Sequence, residues 1–374
     1  MSDTSGPSEV PPGVVSLGDY ERHAQAILPA DAWAYISGAG ADGLTRRWNR
    51  EAFDGMRLAG RVLADMTDAG TDTMLMGMPM SMPVLVAPVA HQKLAHPGGE
   101  VATVLGASAA RAWMCVSTLA STTLEEIAEA SQTTLIFQLY MQASREVTLS
   151  LVRRAEAAGY SALMVTVDAP VNGVRNDEQR AGFRLPPHVA AVNVQGFPTP
   201  SSRAGPGESP VFKGLLDTAP TWSDIEWLRQ QTTLPVMLKG ITSPHDAERA
   251  LSCGVDAIAV SNHGGRTLDT LPSSIEALLA VADTVRGRVP LVLDGGVRRG
   301  TDVLKALACG ASAVMVGAPV MHALAVAGPV GIVHMLTILR AELEAAMALT
   351  GCVRIDAIDE EILWPGKDAP GLRS

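Results

Sequence analysis

Aromatic side chains are scarce: five Phe, six Trp and four Tyr make up 4% of 374 residues. With so few rings the apolar mass must come from Ala, Val, Leu and Met, as expected of helices packed on parallel strands. Cysteine is scarce as well. Cys115, Cys253, Cys309 and Cys352 show neither metal nor redox spacing. That argues against a cysteine zinc site or a disulfide framework, and it leaves core thiols in a reducing, cytoplasmic setting; no metal is expected. Positive charge is in deficit, with 29 Lys and Arg against 39 Asp and Glu and a net charge of −10. A nucleic-acid partner, which needs a basic face, is therefore not expected. A few local arginines can still hold an anionic substrate. No run of about 20 apolar residues escapes interruption by Gly, Pro or charge, so no membrane span or membrane partner is expected. The opening MSDTSGPSEVPPG lacks a basic segment followed by an apolar one and reads as a flexible start, not a signal peptide.

What is present is a repeat. Residues 16–50 read as helical, interrupted at Pro29 and around Gly38–Gly43. Eight short apolar runs then follow: PVLVAP (83–88), WMCVS (113–117), TLIFQLY (134–140), ALMVTVDAP (162–170), PVMLKG (235–240), AIAVSNHGG (257–265), PLVLDGG (290–296) and AVMVGAP (313–319). Amphipathic segments separate them. REVTLSLVRRAEAAG (145–159) puts Val147, Leu151, Val152 and Ala155 on one face, and SPHDAERALSCG (243–254) starts with Ser-Pro and ends on glycine. Continuous apolar strands alternating with helices indicate a parallel sheet, and eight repeats favour an α/β fold closed as a (β/α)8 TIM barrel. The expected organisation is a flexible 1–15, an N-terminal helical extension over 16–80 packed on the barrel, the barrel over 81–352, and a tail over 353–374. The Pro/Gly/Ser-rich stretch 183–222 after the fourth strand is too long for an ordinary connection and reads as a mobile lid loop. MLTILRAELEAAMALTG (335–351) reads as a closing helix.

GAGADG (38–43) satisfies the dinucleotide pattern G-x-G-x-x-G, but a helical pattern precedes it where a strand is required, so it reads as a decoy. The strand ends say more, because barrel active sites sit at the C-terminal ends of strands. Those ends carry Ala87 to Ala90, Ser117, Gln138 and Tyr140, Thr166 and Asp168, Lys239, Ser261 and His263, Asp294 to Gly296, and Gly317. Singly, each is an ordinary loop polar group. Together at one end of an apolar barrel, they make a site. DGGVRRG and VGAP follow the seventh and eighth strands, where barrels often bind phosphate: glycines admit backbone N–H groups and Arg298 adds charge. Lys239 at the mouth suits an anionic partner. Arg175 and Arg266 can each grip a carboxylate, and Asp168 can orient His263 as a general base.

These residues resemble the FMN-dependent α-hydroxy acid oxidases and dehydrogenases, a family that includes glycolate oxidase, lactate oxidase, mandelate dehydrogenase and hydroxymandelate oxidase. The resemblance runs from about residue 16 to 352. It is carried by SNHGGR (261–266), APVAHQKLAHPGGE (87–100), FQLY (137–140), TVDAP (166–170), LKG (238–240), DGGVRRGTDVLKALACGA (294–311) and MALTGC (347–352). It implies FMN as cofactor. It implies His263 as general base supported by Asp168, and Arg266 and Arg175 as the clamp on the substrate carboxylate, with Tyr140 and Tyr35 at the substrate. It implies Lys239 beside the flavin N1–C2=O edge. Pro88, Val89, Ala90, Ser117, Gln138, Thr166 and Ser261 would face the ring or its surroundings, Asp294 and Gly295 the ribityl chain, and Gly296, Arg298, Gly317 and Ala318 the phosphate. It also implies a homo-oligomer, a tetramer or octamer.

Two departures stand out. The family commonly has Arg where this chain has Ala318, which removes one charged phosphate contact. Small-acid members often carry Trp where this chain has Leu119, which leaves room for a larger substituent. Ala90 is usual in oxidase-type members. The expected reaction is therefore oxidation of an (S)-2-hydroxy acid, of mandelate or 4-hydroxymandelate type, to the 2-oxo acid with O2 reduced to hydrogen peroxide. A quinone-linked dehydrogenase and an oxidase of an amino-acid-derived 2-hydroxy acid stand as alternatives. A barrel that binds without catalysis would follow only if Ala318 abolished FMN binding.

Overall fold

All eight apolar runs become strands of one closed parallel barrel in the computed structural model, which describes residues 9–197, 204, 205, 207–216 and 219–365. The chain begins with α1 (Leu17–Ile27), α2 (Ala30–Ser37) and α3 (Leu44–Gly55), then a small antiparallel hairpin of β1 (Thr73–Leu75) and β2 (Met78–Met80). The barrel follows: β3 (Val84–Val86), α4 (Gly99–Ala109), β4 (Trp113–Ser117), α5 (Leu124–Ala130), β5 (Leu135–Leu139), α6 (Arg145–Ala157), β6 (Ala162–Thr166) and α7 (Asn176–Arg180). It continues with α8 (Trp222–Gln231), β7 (Val236–Ile241), α9 (Pro244–Ser252), β8 (Ala257–Val260), α10 (Ser274–Val285), β9 (Leu291–Leu293), α11 (Gly300–Ala308), β10 (Ala313–Val316) and α12 (Ala318–Thr350). β10 pairs with β3 to close the ring.

Alternation along each strand divides the core in two. Leu85, Trp113, Cys115, Ile136, Met164, Met237, Val292 and Met315 fill the barrel interior. Their strand neighbours Val84, Val86, Met114, Phe137, Leu163 and Leu238 face outward against the helices. Local chemistry sets the helix starts: Thr123 with Glu126 and Ser273 with Glu276 form capping boxes, and Ser144 caps α6. The four cysteines are free and buried.

Three expectations need correction. The extension is helical only to Gly55. The hairpin β1–β2 then brings Leu75 and Met80 into the interior cluster, so this piece plugs the barrel. The termini are partly docked: Val14 is buried near the start, and Ile362 and Leu363 are buried near the end, with Leu363 bridged to Leu58. Residues 1–8 and 366–374 lie outside the described residues. The closing helix is also longer than 335–351. α12 starts directly after β10 and breaks at Ala327 and Gly328, ahead of Pro329. By length and hydropathy alone α12 could cross a membrane, yet 67% of its most apolar window is buried, packed on α4, α1 and α11. It is a core helix.

The stretch 183–222 is described only in part; 198–203, 206, 217 and 218 lie outside the described residues. Within it, Val192–Val194 and Val211–Leu215 form short helical turns, and the buried Asn193 side chain accepts the Leu124 N–H. GAGADG joins α2 to α3 with no strand before it, which removes the dinucleotide reading.

Candidate active site

A cavity of about 1520 Å³ opens at the C-terminal ends of the barrel strands, and the N-terminal extension forms part of its wall. Its lining includes Tyr35, Pro88, Val89, Ala90, Ser117, Leu119, Gln138, Tyr140, Thr166, Arg175, Lys239, His263, Arg266, Asp294, Gly295, Gly296, Arg298, Gly317 and Ala318. Asp168 and Ser261 stand directly behind it, bonded to His263 and Lys239. Strand register brings several together: Ser117 pairs with Gln138, and Thr166 with Lys239.

His263 follows β8 in the left-handed region (φ 57°), and Gly264 and Gly265 continue the turn. Gly265 has no alternative there, because a Cβ would lie 2.5 Å from the Arg46 nitrogen. Asn262 locks the turn from below. Its amide exchanges two hydrogen bonds with Asn49 on α3 (2.8 and 2.9 Å) and accepts the Gly265 N–H. The imidazole Nδ1 is 3.0 Å from Asp168 Oδ1, which leaves Nε2 for the cavity. Burial pushes the Asp168 carboxyl up, but Lys239 and His263 outweigh it and hold the acid ionised. The pair has the geometry of a base with its orienter.

Lys239 is buried, with Nζ 3.0 Å from Asp294 Oδ2 and donating to Ser261 Oγ at 2.9 Å. Burial disfavours its charge, yet Asp294 and Asp168 more than compensate and raise its pKa, so it is a fixed cation. Asp294 thus serves Lys239 with one oxygen; its other oxygen is buried with no partner among the described residues.

The two arginines are not equivalent. Arg175 pairs with Glu178 at 2.8 Å, and its Nε is buried with no partner among the described residues. Arg266 spends both terminal nitrogens on the carbonyls of Tyr35, Ile36 and Gly38, capping the C-terminal end of α2. Its guanidinium also lies over the Tyr35 ring and 3.7 Å from Glu178. Burial, then Arg175, lowers its pKa to about 10. Arg175 therefore has the freer donors to offer a carboxylate, whereas Arg266 is engaged on the α2 backbone around Tyr35. Burial raises both tyrosine hydroxyls, Tyr140 to about 12, so each is a neutral donor.

The remaining walls fit a flavin mononucleotide. Gln138 accepts from Ser117 Oγ and the Thr118 N–H, while its Nε2 is a buried donor with no partner among the described residues, suited to a ring carbonyl or nitrogen. Gly296 lies so close to Asn49 that a Cβ would sit 2.4 Å from its carbonyl oxygen. Arg298 is half-buried and pairs with no carboxylate among the described residues; its side chain donates to the Val297 carbonyl. A half-buried cation with no direct carboxylate pair among the described residues, beside glycine backbone, suits a phosphate.

Several contributors escaped the sequence reading. Glu100, buried at the start of α4, accepts from the Gln92 and Ser121 N–H groups and from the Ser121 and Thr122 hydroxyls. It fixes the loops that carry Ala90 and Leu119. His91 faces Tyr35, Phe183 stacks on Tyr35 at 4.6 Å, and Glu178 bridges toward both arginines. Glu100 closes the quoted run 87–100, so its position at a helix start was the one available signal.

A family model described as FMN-dependent dehydrogenase matches residues 24–365. An L-lactate oxidase of Alicycliphilus denitrificans is 45% identical over 357 residues, 95% of this chain and 98% of the relative. Glycolate oxidase 1 of Zea mays is 41% identical, over 92% of this chain and 94% of its own length. Among solved structures, a mandelate oxidase with (S)-2-phenylpropionate superposes with a TM-score of 0.85 at 41% identity, over 94% of this chain and 98% of that one.

Proposed function

Since the chain belongs to the FMN-dependent dehydrogenase family and is an FMN-dependent 2-hydroxy acid oxidase, we propose that it takes (S)-2-hydroxy acids with a bulky or aromatic substituent, of mandelate or 4-hydroxymandelate type. The product is the 2-oxo acid, with O2 reduced to hydrogen peroxide. The observation that carries the chemistry is the His263–Asp168 pair, 3.0 Å apart, facing a cavity that also holds Arg175 and Lys239.

FMN, when bound, supplies a two-electron acceptor beside the substrate carbon. Arg175 holds the substrate carboxylate, with Arg266 adding charge behind it. The Tyr140 hydroxyl, neutral at any ordinary pH, donates a hydrogen bond to the substrate. His263 Nε2 takes the proton that leaves the reacting centre, and Asp168 steadies the imidazolium. Lys239 keeps a fixed positive charge at the far wall, where it favours negative charge formed during reduction.

Substrate size rests on Leu119. With Met141 and the Tyr35–Phe183 stack it makes an apolar wall with room for a ring. The solved mandelate oxidases at 40–41% identity support that reading, whereas the sequence relatives named lactate and glycolate oxidases mark the smaller acids as the competing outcome. The test is a panel of 2-hydroxy acids scored by flavin bleaching without O2, then by peroxide with O2. Aromatic acids should bleach fastest, and reoxidation by O2 should outpace that by a quinone; the reverse rank in either arm overturns that half of the proposal. His263→Ala should slow bleaching by about 10²- to 10⁴-fold. A near-unchanged rate removes His263 as the base.

A further inference from the structure

Residue 318, which opens α12 at the cavity, is alanine and offers no cation there, yet several arginines line the same cavity. Most are already committed. Arg50 is bidentate on Asp302 and also holds Asp54. Arg47 reaches Glu51, and Arg299 reaches Glu342. Arg298 pairs with no carboxylate among the described residues. Arg46 has a single carboxylate contact, 3.3 Å to Glu21, with both side chains about one-third exposed (37% and 32%).

Position singles out Arg46. It sits in the first turn of α3 and donates to the carbonyl of Ser37 at the end of α2. The hydroxyl of Ser37 is 3.1 Å from His322 Nε2. His322 is one helical turn beyond Ala318, on the same face of α12. Burial, then Arg298 and Arg46, depress the His322 pKa to about 3, so both guanidinium groups lie within electrostatic reach of that turn. Arg46, Arg298, Ala318 and Glu21 all line the cavity.

We propose that Arg46, from the N-terminal extension, supplies the second cation for the FMN phosphate in the place that Ala318 leaves uncharged. The inference rests on FMN as the cofactor. Binding asks for little rearrangement. The guanidinium keeps the Ser37 carbonyl and exchanges its exposed contact with Glu21 for the dianion, a stronger acceptor. The half-buried Arg298, held on the Val297 carbonyl, is the fixed half of the site, and Arg46 is the half drawn in by the ligand.

The test compares FMN with riboflavin, which lacks the phosphate. The purified holoenzyme is equilibrated by dialysis against each flavin, and bound flavin is read by absorbance and fluorescence. Wild type that retains neither flavin sinks the cofactor reading itself, before any variant is compared. Given FMN binding, Arg46→Met should weaken FMN by about 10- to 100-fold and leave riboflavin unchanged. Ala318→Arg added to Arg46→Met should return most of the lost FMN affinity. Glu21→Gln, which leaves Arg46 in place and removes its competitor, should tighten FMN by about two- to fivefold. Unchanged FMN affinity in Arg46→Met overturns the proposal. Equal loss of FMN and riboflavin does so too, since it points to a displaced α3. Weaker FMN binding in Glu21→Gln, or a folded double variant with no recovery, also counts against it.

Discussion

Leu119 and Arg266 show how far a residue's identity carries at this site. Leu119 is held by its backbone: its N–H donates to Ser117 Oγ, and its carbonyl accepts the His91 N–H. The side chain is therefore free to set pocket volume. Leu119→Trp should cut kcat/KM for mandelate-like acids by about 10- to 100-fold and change lactate or glycolate far less, because filling a pocket penalises the larger occupant. Steady-state kinetics on both acids check this, and equal loss on both removes Leu119 as the size gate. The sequence singled out Arg266 as an expected clamp residue, but its bonds to the α2 carbonyls were not readable. They depend on a helix more than 200 residues earlier in the chain.

At the scale of elements, periodicity was enough for all eight barrel strands and for α1 to α3. It missed β1 and β2, where each strand is three residues long, Pro79 sits inside one, and the methionines carry no alternation to read. The break in α12 was also missed, although Pro329 marks it. That break has a packing consequence. A Cβ on Gly106 of α4 would lie 2.6 Å from both the Pro329 carbonyl oxygen and Ile332 Cβ, so α4 and α12 cross in near contact at the kink. Gly106→Val should cost about 1–3 kcal/mol through overpacking, read as a lower urea midpoint. A midpoint at or above wild type would show that the two helices separate easily.

For the molecule as a whole, the cavity belongs to two parts of the chain. Strand ends supply His263, the buried Lys239 and the glycine turns, while α1 to α3 supply Tyr35, Arg46 and the Asn49 lock. A ligand held by both parts stabilises the folded state and not the unfolded chain. Free FMN at 100 times its Kd should therefore add about 2.7 kcal/mol to stability, seen as a rise in Tm with FMN concentration. A Tm indifferent to FMN would show that the native cavity does not hold it.

The barrel and the gathering of His263 and Asp168 at its mouth were legible because each rests on local pattern: apolar runs of strand length, turn glycines, and polar groups at one end of each run. Arg175, beyond the fourth run, was placed at the substrate only through the family resemblance. Tertiary structure alone decided which cations are free. Whether Arg46, Arg50, Arg298 or Arg299 is neutralised depends on carboxylates brought near by folding, such as Asp302, Glu342 and Glu21. Glu178 likewise reaches Arg175 within its own turn but Arg266 only across the fold. Charge pairing acts through space over a few ångströms, and sequence separation carries no record of that distance.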